Sequence, residues 1–207
     1  MVDSITLGGS TMGSMRRVWQ PEIFYHVTVR GNNRQNIFLN EADFTLFFQA
    51  LQYTHQKHPF TIIAYCMMNN HYHLLIRSPK VPLYNVMTII NKRYSNYFKR
   101  KYHFFDQLYE THFFANMVTH PINLLNVSSY IHQNPIRTTK VHVERMELYP
   151  HSSYKYYIKQ TKSQPSFINT QLLPSIIDQY PEIVAENYST YCENFRMEEE
   201  KSLLTLT

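Results

Sequence analysis

Hydrophobic and polar residues follow two distinct periods along the first two thirds of the chain. Alternation with a period of two predicts a strand at residues 23–30, and segments rich in β-branched, aromatic and other apolar residues predict three more, at residues 60–67, 71–77 and 112–118. Apolar residues spaced three and four apart predict three helices, at residues 41–57, about 82–100 and 122–133. Asn69-Asn70 predicts a turn between the second and third strands. Asn134-Pro135 predicts the end of the third helix.

The order of these elements indicates the fold class. Strand, helix, strand, strand, helix, strand is the sequence of a split βαβ unit. We therefore expect an α+β domain with a ferredoxin-like core, a central antiparallel sheet and an added third helix. Beyond Arg145 the chain is rich in tyrosine, and its prolines at positions 150, 165, 174 and 181 predict turns in an irregular segment.

The first fourteen residues differ in composition from the rest of the chain. Three of the four glycines lie among them, in a stretch rich in serine and threonine that ends just before Met15. Such a stretch is typical of an added leader, so we expect residues 1–14 to be a leader and Met15 to be the natural start. We expect one domain over residues 15–157 and a C-terminal extension over residues 158–207.

Charge is distributed unevenly between the body of the chain and its end. Residues 15–177 contain 18 Lys+Arg and 7 Asp+Glu, a balance of +11, whereas residues 178–207 contain 2 and 7, a balance of −5. A basic body favours a polyanionic partner such as nucleic acid. Surface lysines that only confer solubility would give the same balance, so charge alone does not choose between the two explanations.

Several classes of protein are disfavoured. No run approaches eighteen consecutive apolar residues, which excludes an obvious transmembrane helix. The N-terminus lacks the basic and apolar regions of a secretory signal. The two cysteines, Cys66 and Cys192, do not form a disulfide framework in a chain of 207 residues. We therefore expect a cytoplasmic protein.

His71 and His73 are the first candidates for chemistry. They are separated by one residue in a predicted strand, so both imidazoles point to the same face, close enough to share one metal ion. Imidazole is a common ligand for ions such as Zn, Mn and Fe. The chain has eleven histidines, and a pair of half-buried strand histidines remains an ordinary alternative.

Four segments together resemble a known family. The segment around the two histidines, CMMNNHYHLLI at 66–76, resembles the HUH motif of single-tyrosine transposases. Residues 24–34 (FYHVTVRGNNR), 130–137 (YIHQNPIR) and 149–154 (YPHSSY) resemble, in the same order, the first strand and loop, the tyrosine signature and the Ser-Ser-Tyr block of REP-associated tyrosine transposases. The resemblance spans roughly residues 15–157 and marks them as the catalytic domain.

The resemblance implies a reaction and a site. In this family a tyrosine attacks a phosphodiester of single-stranded DNA and leaves a 5′-phosphotyrosine link and a free 3′-hydroxyl. The match assigns the nucleophile to Tyr130 on the third helix, and metal binding to His71, His73 and Asn134, with Mg²⁺ or Mn²⁺ as the ion. Asn134 follows Tyr130 by four residues, on the same helical face. Without the resemblance, a core tyrosine and an ordinary asparagine before a proline would explain both residues.

The same resemblance implies the partner and its setting. Single-stranded DNA with hairpin-forming repeats is the expected substrate, in a bacterial cytoplasm, and a monomer is preferred over a homodimer. Candidate DNA-binding residues are basic or polar and lie in the loop after the first strand, along the second helix with its interleaved aromatics, and just past the tyrosine: Arg30, Asn32, Asn33, Arg34, Lys92, Arg93, Lys99, Arg100, Arg137 and Lys140.

Two other functions compete with this one. A ferredoxin-like sheet with basic and aromatic residues can bind single-stranded DNA or RNA without cutting it. The coincidence of His-x-His with Tyr-x-x-x-Asn favours the transposase, because binding alone does not require it. A zinc hydrolase ranks last, because the chain has no H-E-x-x-H or C-x-x-C pattern to supply further ligands and a general base.

Overall fold

The computed structural model describes residues 19–138, 141–158 and 164–196. The predicted leader, residues 1–14, lies outside them, as does Lys140. Among the helices that the structure describes, none is both long enough and apolar enough to cross a membrane.

The described chain forms four strands and six α-helices. The strands are β1 (Phe24–Arg30), β2 (Thr61–Met68), β3 (His71–Arg77) and β4 (Phe114–Val118). The helices are α1 (Glu41–Lys57), α2 (Leu83–Tyr102), α3 (Pro121–Arg137), α4 (Lys155–Ile158), α5 (Leu172–Gln179) and α6 (Tyr188–Asn194). Two short 3₁₀ turns, Asn32–Arg34 and Met146–Leu148, complete the list.

The strands form one sheet in the order β2-β3-β1-β4, and every neighbouring pair is antiparallel. β1 therefore lies between the two strands that α2 connects, and β3 lies between the two that α1 connects. This is the split βαβ arrangement, and it confirms the predicted ferredoxin-like α+β fold.

The sheet separates two hydrophobic cores because successive strand residues point to opposite faces. On one face Val27, Tyr72 and Leu74 pack in a core with residues of α1 and α2. On the other face Phe24 and Leu75 pack in a core with residues of α3, α5 and α6. The predicted third helix therefore covers the face that α1 and α2 leave open.

Helix α3 continues past the point where the sequence predicts its end. Pro135 lies inside the helix, which extends to Arg137. A proline removes one backbone donor and crowds the preceding turn. Two contacts from elsewhere hold the last turn here: the Pro135 carbonyl accepts from the His142 amide at 2.9 Å, and the Arg137 side chain donates to the Phe195 carbonyl at 2.6 Å.

The segment beyond Arg145 contains short helices where the sequence predicts irregular structure. Its aromatic residues are largely core residues: Tyr154, Phe167 and Tyr188 are all buried. The Ile62 amide donates to the Phe167 carbonyl at 2.8 Å, and the Asn169 amide donates back to the Ile62 carbonyl at 2.9 Å. This segment therefore pairs with the outer edge of β2 and belongs to the same packed body.

A buried carboxylate joins α1 to α2. Asp43 is completely buried, closes a capping box with Asn40 at the start of α1, and pairs with Lys101 Nζ at 2.7 Å. The Tyr97 and Tyr102 hydroxyls also donate to this carboxylate. Burial by itself raises the pKa of Asp43, but these donors, Lys101 foremost, hold it below its usual value.

We expect the substitution Asp43→Asn to lower the free energy of unfolding by about 2–3 kcal/mol, because it removes the partner of Lys101 and half of the capping box. Urea denaturation at pH 7 measures the change. Asp106→Asn, at an exposed position, is the control and should change stability by less than about 0.5 kcal/mol. Equal stability of the two variants would show that the Asp43 cluster contributes nothing.

Candidate active site

The two histidines of β3 lie on the face of the sheet that α3 covers. In the β1–β3 register, Thr28 is opposite His73 and Arg30 is opposite His71. Residues directly opposite in an antiparallel pair share a face. His26, two residues before Thr28, points the same way. One face of the sheet thus carries three imidazoles, a hydroxyl and a guanidinium.

Helix α3 brings Tyr130 and Asn134 to this group. The Asn134 amide oxygen lies 3.4 Å from His71 Nε2. The Tyr130 ring is 5.5 Å from the His73 ring and 5.8 Å from the His26 ring between centroids, edge-on to both. The structure therefore brings together all four residues that the resemblance assigns to catalysis and metal binding, from β3 and α3.

Hydrogen bonds orient the side chains of His71 and Asn134. His71 Nδ1 lies 2.7 Å from the Asn70 amide oxygen. That oxygen only accepts, so Nδ1 carries the proton and the lone pair of Nε2 faces Asn134. The Asn134 amide nitrogen donates to the Tyr130 carbonyl at 3.0 Å, which directs its oxygen to His71. Two acceptors that converge at 3.4 Å, longer than a good hydrogen bond, suit a shared cation.

His73 is held by the neighbouring strand. Its Nδ1 lies 3.0 Å from His26 Nε2 and 3.1 Å from Thr28 Oγ1. These contacts occupy one ring nitrogen and leave Nε2 for a ligand, which is the usual way a second residue fixes a metal-binding imidazole. Two imidazole nitrogens and one amide oxygen form a donor set that fits a divalent ion with open positions.

The site favours neutral imidazoles. Burial lowers the pKa of His73 well below its usual value, and the neighbouring His26, His71 and Arg30 add to this effect. Burial lowers the pKa of His26 to about 4. The pKa of His71 is also lowered, again mainly by burial. Neutral imidazole is the form that binds a metal, so the surroundings keep the histidines ready as ligands near neutral pH.

Among the described residues, no group of three or more His, Cys, Asp or Glu side chains could hold a metal. The third donor of this site is instead the amide oxygen of Asn134.

Sequence reasoning missed His26 and Thr28. The alternation of β1 places both residues on the same face as Arg30. Only the pairing of β1 with β3 shows that this face also carries His71 and His73. Asn70 was assigned to a turn and also orients His71.

The predicted DNA-binding residues fall into separate regions. Arg30 lies at the site, and the turn of Asn32, Asn33 and Arg34 adjoins the β2–β3 turn, because the Asn70 amide donates to the Arg34 carbonyl at 3.4 Å. Arg137 is in the last turn of α3, bonded to the Phe195 carbonyl. Lys140 lies outside the described residues.

The basic residues of α2 are not near the histidines. Lys92, Arg93, Lys99 and Arg100 belong to the helix on the opposite face of the sheet. The interleaved Tyr94 and Phe98 are buried in its core, as the ordinary explanation of these aromatics predicts. The structure therefore places these four cations apart from the tyrosine and the histidines.

A buried histidine of α3 bonds this helix to the C-terminal segment. His132 is fully buried, with Nε2 at 2.7 Å from Ser153 Oγ and Nδ1 at 2.8 Å from the Tyr188 hydroxyl. Ser153 in turn accepts from the Tyr65 amide of β2 at 2.8 Å. Burial lowers the pKa of His132 to about 3. These contacts tie the tyrosine helix to the sheet and to the C-terminal segment.

Comparisons with known proteins agree with the fold and with the motifs. The family model described as "Transposase IS200 like" matches residues 20–134, more than half of the 207 residues. Among solved structures, the chain is similar to a REP-associated tyrosine transposase bound to a REP hairpin, with a TM-score of 0.60 and 15% identity over 75% of this chain and 96% of that chain. At this identity the similarity shows a shared fold. No curated protein gave a significant match.

The family match and the fold identify a transposase, a class of DNA-processing enzyme. The chain belongs to the IS200-like transposase family. These comparisons confirm the family resemblance that the four sequence segments indicate.

We expect the free energy of unfolding to fall as the pH drops from 7.5 to 5.0. The unfolded chain protonates His132 below pH 6.5, whereas the folded chain does so only near pH 3. Stability is therefore lost as the pH falls below 6.5, at about 1.4 kcal/mol per unit and about 2 kcal/mol by pH 5 from His132 alone.

Urea denaturation at several pH values measures this dependence. His132→Gln should flatten the slope, whatever its effect on stability at pH 7.5. His103→Asn, at an exposed left-handed position where asparagine is well tolerated, should keep the slope of the parent protein. An unchanged slope in His132→Gln would show that the lowered pKa of His132 does not cause the pH dependence of stability.

Proposed function

We propose that this protein is a metal-dependent transesterase that cleaves and rejoins single-stranded DNA at hairpin-forming repeats through a 5′-phosphotyrosine on Tyr130. The observation that carries the proposal is the convergence of Tyr130 and Asn134 from α3 on His71 and His73 from β3. Binding without cleavage does not require a tyrosine beside a set of metal donors. The similar REP-associated transposase was solved with a REP hairpin, which supports a hairpin as substrate.

The site residues would divide the work as follows. His71, His73 and Asn134 would hold Mg²⁺ or Mn²⁺, with His26, Thr28 and Asn70 fixing the two imidazoles. When bound, a divalent ion supplies positive charge that polarises the scissile phosphate and offsets the charge developing on it. Arg30, opposite His71 at the end of β1, adds a fixed positive charge beside the same group.

Tyr130 would carry the covalent step. Its oxygen loses a proton and forms a bond to phosphorus, while the bond from phosphorus to the 3′-oxygen breaks and that oxygen gains a proton. The 5′-phosphate stays on the tyrosine, and the 3′-hydroxyl is free. The reverse attack by a 3′-hydroxyl restores a phosphodiester and releases the tyrosine, so no ATP is needed. Rigid placement matters here, because a neutral tyrosine hydroxyl is a weak nucleophile.

The DNA-binding surface near the site would consist of Arg30, the turn at Asn32, Asn33 and Arg34, and Arg137. Arginine and asparagine side chains there would contact phosphates and bases beside the scissile bond. We further propose that the enzyme acts as a monomer in a bacterial cytoplasm. One chain contributes the tyrosine and all three donors, and light scattering at micromolar concentration measures the mass.

We expect a covalent adduct between the protein and 3′-labelled DNA. Hairpin oligonucleotides with random single-stranded flanks, incubated with the protein and Mn²⁺, should leave label on the protein after denaturing electrophoresis. Tyr130→Phe and EDTA should each eliminate the adduct, because one removes the nucleophilic oxygen and the other the metal. Tyr84→Phe, which removes a hydroxyl from an exposed tyrosine of α2 on the opposite face of the sheet, is the matched control.

The outcomes separate the competing functions. An adduct that persists in Tyr130→Phe would keep the reaction and overturn the assigned nucleophile. DNA binding without an adduct, across a pool that covers many hairpins, would favour the non-catalytic binding module.

We expect His26→Phe to weaken Mn²⁺ binding by about 10- to 100-fold, because residues that orient a metal-binding histidine contribute on this scale. Calorimetric titration with Mn²⁺ in the absence of DNA measures the affinity. His26→Gln, which retains a polar group toward His73, should restore part of it. Equal affinity of His26→Phe and the parent protein would show that His26 does not position His73.

A further inference from the structure

An exposed aromatic side chain lies beside the catalytic group, on the edge strand of the sheet. Phe114 of β4 is opposite Thr28 of β1. Thr28 is in turn opposite His73, and its hydroxyl oxygen lies 3.1 Å from His73 Nδ1. Residues directly opposite each other share a face, so the Phe114 ring projects from the face that carries the histidines. Neighbouring strands are about 4.8 Å apart, so the backbone of Phe114 lies about 10 Å from that of His73.

The row of residues that contains His73 becomes more exposed toward β4. On the β2 side, Cys66 is opposite His73 and is completely buried. His73 is 4% exposed, Thr28 is half-buried, and Phe114 is 60% exposed. Within the described residues the sheet ends at β4. The catalytic face is therefore closed toward β2 and open toward β4, and a DNA strand that reaches the histidines from the open side meets Phe114.

Packing does not explain the position of this ring. Phe114 belongs to neither of the two hydrophobic cores that the structure describes, whereas its neighbours Phe113 and Ala115 pack against the core formed with α1 and α2. The other exposed aromatic side chains of the described residues, Tyr84 and Phe105, lie on a helix and in a loop rather than on the sheet. A phenylalanine ring in water forgoes the favourable free energy of burial, which a bound ligand restores.

The groups around Phe114 suit a base of single-stranded DNA. Arg30 is exposed and lies two residues beyond Thr28 on the same face of β1. Asn116 is exposed and is opposite His26, whose ring is edge-on to the ring of Tyr130. Single-strand binding proteins combine cations that follow the phosphates with aromatic rings on which bases stack. Phe114 and Arg30 offer this combination beside the tyrosine.

We propose that Phe114 binds a base next to the scissile phosphate by stacking, and thereby aligns the DNA strand across His73 and Tyr130. The proposal rests on the proposed function, because it takes single-stranded DNA as the substrate. Stacking holds the strand on the open side of the site. The phosphate then reaches the metal donors and the tyrosine in one position along the strand.

The first test compares DNA affinity with stability in the full-length protein. Fluorescence anisotropy in EDTA, with a labelled hairpin that carries oligothymidine flanks, gives the Kd without metal-dependent cleavage. Stacking tolerates any base, so thymidine serves at every position. Phe114→Ala should raise the Kd at least about fivefold, because it removes the stacking surface. Phe114→Trp keeps an aromatic ring and should keep the affinity of the parent protein.

Met117→Ala is the matched control. Met117 is another exposed apolar residue of β4, but it is opposite Tyr25 and therefore points to the other face of the sheet. Both alanine substitutions truncate an exposed side chain of the same strand, so they should change the melting temperature by similar, small amounts. Only Phe114→Ala should change the Kd. Equal Kd values for Phe114→Ala, Met117→Ala and the parent protein would overturn the proposal.

The second test shows whether Phe114 meets a base rather than the DNA backbone. Abasic residues are introduced one at a time along the flanks of the hairpin. In the parent protein, an abasic residue at the stacking position should raise the Kd at least about fivefold. In Phe114→Ala the same residue should have no further effect, because both changes remove one contact. Effects that multiply at every position would overturn the proposal.

The remaining outcomes separate this proposal from the proposed function. If Phe114→Ala weakens DNA binding and the parent protein forms no adduct, the base-binding residue stands and the transesterase fails. If the adduct forms, with equal Kd and equal yield in the parent and Phe114→Ala, the reverse holds. A parent protein that binds neither this hairpin nor the pool with random flanks would overturn both. If Phe114→Ala converts a dimer to a monomer in light scattering and leaves the Kd unchanged, the ring contacts a second copy of the chain, which would also overturn the proposal.

Discussion

The antiparallel register between β1 and β3 is the constraint on which the site depends. It places Thr28 opposite His73 and Arg30 opposite His71, so that one strand supplies the imidazoles and its neighbour the groups that orient them. A shift of one residue would turn every side chain of β1 to the other face. Val27 and Val29 resist such a shift, because both are almost fully buried in the core formed with α1 and α2. Packing on one face thus fixes the chemistry on the other.

Helix α3 depends on the same sheet but is held by a different kind of contact. Its polar residues are not confined to the catalytic side: His132, Gln133 and Arg137 bond to Ser153, Tyr188 and the carbonyls at the end of α6. A helix fixed by directional bonds has a defined rotation about its axis, which apolar packing alone specifies less sharply. That rotation sets where Tyr130 and Asn134 point, so the C-terminal segment takes part in shaping the site.

Local patterns in the sequence were sufficient for the fold, and the family motifs marked four residues that the structure brings together. The alternation in β1, the apolar runs of β2 and β3 and the apolar spacing of α1 and α2 predicted the ferredoxin-like order, because each element's own sequence shows which of its side chains are buried. His26 and Thr28 could not be found that way, since their importance comes from pairing with a strand more than forty residues away. Helix α3 passed the predicted stop at Pro135 because the His142 amide and Phe195 lie there. The cations of α2 were grouped with the site by composition, whereas the sheet separates them from it.

The outer edge of β2 is covered by residues that follow α3 in the chain, so these residues belong to the folding unit. Residues 151–153 and 167–169 satisfy backbone groups of Met67, Tyr65 and Ile62 that would otherwise face solvent. An open edge of that kind, flanked by Ile63 and Tyr65, is a template for pairing with other chains and for aggregation. The match to the family model ends at residue 134, but a fragment cut there would lose these backbone contacts. The part of the chain that matches the family model is therefore smaller than the part that packs as one body: the match lies in the first 134 residues, and later residues cover a strand edge that could otherwise pair with other chains.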